Sequence, residues 1–101
     1  MSKANTPEGK IKAKLKAALK AKGVWSFSPQ SGIYGVSGIP DIIAIVGGQF
    51  VGIECKADRS KKPTALQLLR MKEIEDAGGK CFVVCDSVSI DEVMLWIRFR
   101  K

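Results

Sequence analysis

The chain has 101 residues, with 17 lysines and arginines against 10 acidic residues, a formal charge of +7, and no histidine. This length predicts one domain, residues 1–101, with a modest core, and the missing histidine excludes His general bases, Ser-His and Cys-His nucleophile pairs and His-ligated zinc. The positive excess favours a polyanionic partner, nucleic acid first, although a solvated basic surface or attraction to acidic membranes gives the same composition.

Thr6-Pro7-Glu8 opens a helix, with a capping threonine, proline at the first helical position and an acid in the first turn. Ile11, Leu15, Ala18 and Leu19 recur at helical spacing as one apolar stripe, Lys10, Lys14, Lys16 and Lys20 lie on its flanks and back, and Gly23 ends the helix. Residues 24–28 read as a first strand, and residues 29–38 form a flexible stretch rich in Gly and Ser. Residues 41–46 and 49–56 are two strand-like runs around Gly47-Gly48, a pair suited to the positive φ of a tight hairpin turn. A charged loop, residues 57–62, leads to a second helix that starts at Pro63-Thr64 and stops at Gly78-Gly79. Residues 81–85 are a short buried strand, and Ser89 with Glu92 reads as a capping box for a last helix running towards Phe99. The order is helix, three strands, helix, strand, helix: an α/β fold with a four-stranded mixed sheet, the second helix being the crossover between parallel strands three and four.

The cysteines, Cys55, Cys81 and Cys85, lie in apolar strand-like runs, and their odd number argues against a disulfide scaffold. Free thiols and the absence of a signal-peptide pattern predict a reducing, cytoplasmic setting. No apolar run is long enough to cross a bilayer.

Counting outward from a two-residue turn at Gly47-Gly48, Val46 pairs with Gln49, Ile45 with Phe50, Ile43 with Gly52 and Asp41 with Glu54. Opposed residues share a face, and Lys56, two residues beyond Glu54, returns to it. Two opposed carboxylates repel unless a cation lies between them, and Mg²⁺ takes a few carboxylate oxygens together with water and phosphate. A metal so held polarises a phosphodiester and activates water, with Lys56 beside it. An ion pair between Lys56 and Glu54, with Asp41 a mere strand-start residue, accounts for the same spacing.

Gly38-Ile39-Pro40-Asp41 followed by Glu54-Cys55-Lys56 resembles the PD-(D/E)XK nuclease signature. The wider string adds the Gly47-Gly48 hairpin, Pro63 to Gln67 and Ala77-Gly78-Gly79, and is similar to the VRR-NUC family within that superfamily, over about residues 6–86. The resemblance implies a restriction-endonuclease-like core. It also implies metal-binding carboxylates at Asp41 and Glu54, a metal-binding backbone carbonyl at Cys55, a catalytic lysine at Lys56, and Gln67 against the site or the substrate. Glu8 matches the family's acidic residue in the first helix, a further candidate for catalysis and for the metal. Cys55 replaces the usual aliphatic residue, with its side chain expected in the core. Glu8 lies almost in line with the apolar stripe, and Gln67, Met71 and Ile74 fall on one helical line, so both polar groups point inward by spacing alone. A first-turn acid favoured by the helix dipole and a satisfied buried amide account equally for that spacing.

Arg59, Lys61 and Lys62, directly after the active-site strand, and Lys10 and Lys14 are the expected DNA-phosphate contacts, each otherwise a solvated charge. In the last helix Ile90, Val93, Met94 and Ile97 form one apolar stripe, and Leu95 and Phe99 a second with Trp96 between. The second stripe predicts a homodimer, unless the helix is deeply buried in a monomer. The resemblance, with the predicted dimer, implies a Mg²⁺- or Mn²⁺-dependent deoxyribonuclease acting on branched DNA such as a four-way junction, in a compact form that resembles phage or prophage members. A non-cleaving nucleic-acid-binding module and an accessory subunit of a larger DNA-processing complex are the rival readings.

Overall fold

The computed structural model describes residues 6–29 and 35–100. Its elements are α1 (Pro7–Ala21), β1 (Trp25–Phe27), β2 (Ile42–Val46), β3 (Gln49–Cys55), α2 (Ala65–Asp76), β4 (Lys80–Val84) and α3 (Ser87–Arg98). The strands form one mixed sheet in the order β1-β2-β3-β4. β1/β2 and β2/β3 are antiparallel, and β3/β4 is parallel through the α2 crossover. The expected element order, hairpin and crossover are all present, and residues 30–34 of the stretch expected to be flexible lie outside the described residues.

Local chemistry explains the boundaries. Thr6 caps α1 by accepting from the Gly9 N–H, with Pro7 at the first helical position. Gly47 and Gly48 have φ of 55° and 82°, the left-handed pair a tight turn between twisted strands requires. They hold Val46 opposite Gln49, and the register runs to Ile42 opposite Ile53 without a bulge.

The start of α3 differs from expectation. Asp86 is the capping residue and Ser89 the third helical residue, so the helix begins at Ser87 rather than after Ser89. The chain must turn directly after Val84, and extended Asp86 accepts from the Ser89 N–H at 2.8 Å while Ser89 Oγ accepts from the Cys85 and Asp86 N–H groups. A reciprocal cap of this kind satisfies several otherwise orphaned donors at once.

Period-two alternation gives the sheet two unlike faces. On one, Ile42, Ala44, Val46, Val51, Ile53, Cys55 and Val84 pack beneath Leu15 and Leu19 of α1 and Ile90, Val93 and Ile97 of α3 as a single buried core. Each of the larger aliphatic groups there contributes roughly 1.5–3 kcal/mol by leaving water. The opposite face carries Glu54 and is covered on its β4 side by α2, where Met71 and Ile74 lie beside Cys81 and Gly79. On α3, Ile90, Val93 and Ile97 are buried and Met94 and Trp96 pack against the core, whereas Val88, Leu95 and Phe99 stay exposed.

Candidate active site

The site lies where β2 begins and β3 ends, at the carboxyl edge of the parallel strand pair, the usual place for ligands in α/β sheets. Asp41 stands one residue before β2 and continues its register, so it faces Glu54. Side chains replace the strand ladder there: the Asp41 N–H donates to Glu54 Oε1 at 3.2 Å, and Asp41 Oδ2 accepts from the Cys55 N–H at 2.8 Å. Pro40, immediately before, lies over Gly52. A Cβ at Gly52 would stand 2.8 Å from Pro40 Cγ, so the bare glycine backbone is what lets the Pro40-Asp41 segment lie flat on β3.

Lys56 follows the last residue of β3, and its N–H continues the ladder to the Val84 carbonyl. Its Nζ lies 3.3 Å from Glu54 Oε2 and donates to Gln67 Oε1 at 2.9 Å. Gln67 is held independently. It is the third residue of α2, its Oε1 accepts from the Thr64 N–H at 2.8 Å, and its own N–H donates to Thr64 Oγ1 at 3.1 Å. One amide oxygen thus closes the helix cap and fixes the lysine. The inward line of Gln67, Met71 and Ile74 is half-buried along its whole length, as its spacing implied.

The electrostatics of this cluster are out of balance. Glu54 is the one buried charged side chain among the described residues, at 2% exposure. Burial first and the Asp41 charge second push its carboxyl up to about 7, against the pull of Lys56. The same two carboxylates, after burial, push the Cys55 thiol up to about 12, which leaves it a protonated core group rather than a nucleophile. Its side chain is fully buried, as expected of the core-facing position.

Among the described residues no three His, Cys, Asp or Glu side chains converge into a metal cage. Mg²⁺ does not need one, since it takes one or two carboxylates and completes its shell with water and phosphate. Two adjacent carboxylates, one of them raised by burial and by the charge of the other, suit such a hard cation. Asp41 and Glu54 would hold it, with the Cys55 carbonyl as the backbone candidate.

The remaining candidates lie apart from the cluster. Contrary to the inward position its spacing suggested, Glu8 is exposed, because the first turn of α1 lies beyond the buried Leu15 and Leu19; its charge is still felt at the Cys55 thiol. Arg59 pairs with Asp86 at the start of α3, 3.0 Å away, and Lys14 donates to Ser87 Oγ. Lys10, Lys61 and Lys62 are exposed. Thr64 escaped the sequence reading although Thr64-x-x-Gln67 is a visible capping box.

No family model matches the chain, and no curated protein matches it. A solved structure described as a "VRR_NUC domain" is similar to it with a TM-score of 0.79 and 27% identity, over 89% of this chain and 96% of that one.

Proposed function

We propose, from its similarity to a solved VRR_NUC domain, that the chain is a VRR-NUC nuclease, a metal-dependent endonuclease of the PD-(D/E)XK type that hydrolyses DNA phosphodiester bonds. The observation that carries this reading is the joining of Asp41, Glu54, Lys56 and Gln67 into one connected cluster on one face of the sheet. Mg²⁺ or Mn²⁺ bound at Asp41 and Glu54 supplies charge neutralisation at the phosphodiester and activation of water.

The chain's own groups do the rest. Asp41 is braced by the Cys55 N–H, so its free oxygen keeps one direction. Lys56, tethered by Glu54 and Gln67, places its ammonium beside the scissile group, where it orients the attacking water and stabilises charge that grows as the bond breaks. Lys61, Lys62, Lys10 and Lys14, and Arg59 once released from Asp86, take flanking phosphates. That release costs little, because the pair is exposed and screened by solvent.

The substrate we favour is branched DNA such as a four-way junction, cut by a homodimer that joins through Val88, Leu95 and Phe99 of α3 and brings two sites to one junction. Its setting is the cytoplasm of a bacterial host, in keeping with a compact phage-type nuclease. Among the described residues no helix is long and apolar enough to cross a membrane. The test is incubation with labelled four-way junction and matched linear duplex, with Mg²⁺ or Mn²⁺ added. Cutting that requires metal and falls at least about a thousandfold in Asp41→Ala and Lys56→Ala is the expected result. Tight binding with no cutting in either metal overturns the nuclease reading in favour of a binding module.

A further inference from the structure

The catalytic pair occupies only part of its face of the sheet. Trp25 pairs with Ile45 and Phe27 with Ile43, and Ile43 stands two residues along β2 from Asp41. Paired residues share a face and alternate residues return to it, so Trp25, Phe27, Asp41 and Glu54 all lie on the same side. Strand spacings put Phe27 roughly 8 Å from Asp41 and Trp25 one step farther along the same line. α2 covers the β4 side of this face, and among the described residues nothing covers the β1 side: Trp25 is 63% exposed and Phe27 46%, with ring centres 5.4 Å apart. Around the edge of β1, Lys16 and Lys20 of α1 join Trp25 and Ser26 in lining a pocket of about 400 Å³.

Exposed aromatic rings beside paired lysines, leading away from a phosphodiester site, have the make-up of a platform for unpaired nucleotides. Bases stack on the rings, which any base can do, and ammonium groups take the phosphates. Charge argues against a second copy of the chain on this patch. A two-fold contact there brings Lys16 and Lys20 of one copy towards the same lysines of the other. We propose that Trp25 and Phe27 stack on unpaired bases next to the scissile phosphate while Lys16 and Lys20 hold that strand's backbone, so that the branched substrate this chain prefers carries a single-stranded segment beside the cut and is favoured over a fully paired junction. This rests on the reading of the chain as a nuclease.

The chain has two tryptophans, and Trp96 packs edge-on against Phe82, so Trp96→Phe leaves Trp25 as the single tryptophan reporter. In that background, with EDTA present so that nothing is cut, intrinsic fluorescence is titrated with an oligothymidylate of about a dozen nucleotides, a length matched to typical single-strand sites, and with a blunt duplex. The expected result is saturable quenching by the single strand and little by the duplex. By competition or filter binding, Trp25→Ala weakens single-strand affinity about five- to a hundredfold, and Trp25→Phe recovers most of it. Unmoved fluorescence, or unchanged affinity in Trp25→Ala, overturns the proposal. A dimer that dissociates in Trp25→Ala with single-strand affinity intact also overturns it and makes the patch an interface between copies. A parallel Mn²⁺ cleavage assay separates the two readings: quenching without cutting sinks the nuclease and keeps the platform, and cutting without quenching does the reverse.

Discussion

The two faces of the sheet come from the same strands yet obey opposite rules. Ile53 and Glu54 are neighbours on β3, both essentially buried. Ile53 points under α1 and α3, where the neighbours are apolar and burial is favourable. Glu54 points the other way, beside Asp41, and its burial is a cost that Lys56 only partly offsets. The domain thus keeps its apolar core on one face and its proposed site on the other, and substitution separates the two.

The largest expected effect on stability is Ile53→Ala. It leaves a cavity in the closed core and destabilises by about 2–5 kcal/mol at any pH, read by urea unfolding. A loss below about 1 kcal/mol breaks the assignment of that face as the stabilising one.

Glu54→Gln should do the opposite in metal-free protein. The folded carboxyl is raised from the usual range near 4.5 to about 7. Its contribution to stability is therefore full below the unfolded value and is lost as pH rises through the folded one. The amide does not titrate, so the variant matches the parent at pH 4 and exceeds it by on the order of 3 kcal/mol at pH 8. Thermal unfolding in EDTA at the two pH values checks this, and a variant less stable than the parent at pH 8 removes the idea of an uncompensated buried charge. Added Mg²⁺ should stabilise the parent more than the variant.

The smallest effect sharpens the boundary between the faces. Thr64→Ala and Gln67→Ala each weaken the α2 cap by about 1 kcal/mol. Only Gln67→Ala also removes one of the two tethers of Lys56, so it should lower kcat beyond Thr64→Ala at equal stability. Equal kcat in the two variants makes Gln67 a capping residue and nothing more.

Much of this was legible beforehand because it is local or periodic. The Gly47-Gly48 turn fixes the hairpin register, and that register alone brings Asp41 opposite Glu54 and Lys56 onto their side. The start of α3 was misplaced because two capping patterns overlap in residues 86–92. The choice of Asp86 depends on where β4 ends, which lies outside the helix's own sequence.

The sequence by itself determined the element order, the alternation that divides the sheet into two faces, and the placing of Asp41, Glu54 and Lys56 on one side, since all of these follow from spacing along one or two neighbouring strands. Only the tertiary structure decided how far Glu54 is buried, that Gln67 reaches Lys56 as well as its own helix cap, and that α2 covers one side of the face of Asp41 and Glu54 while Trp25 and Phe27 stay exposed. Those outcomes depend on how separate elements dock. Docking sets solvent exposure and long-range contacts, and these control the charge of a carboxylate and the availability of a surface.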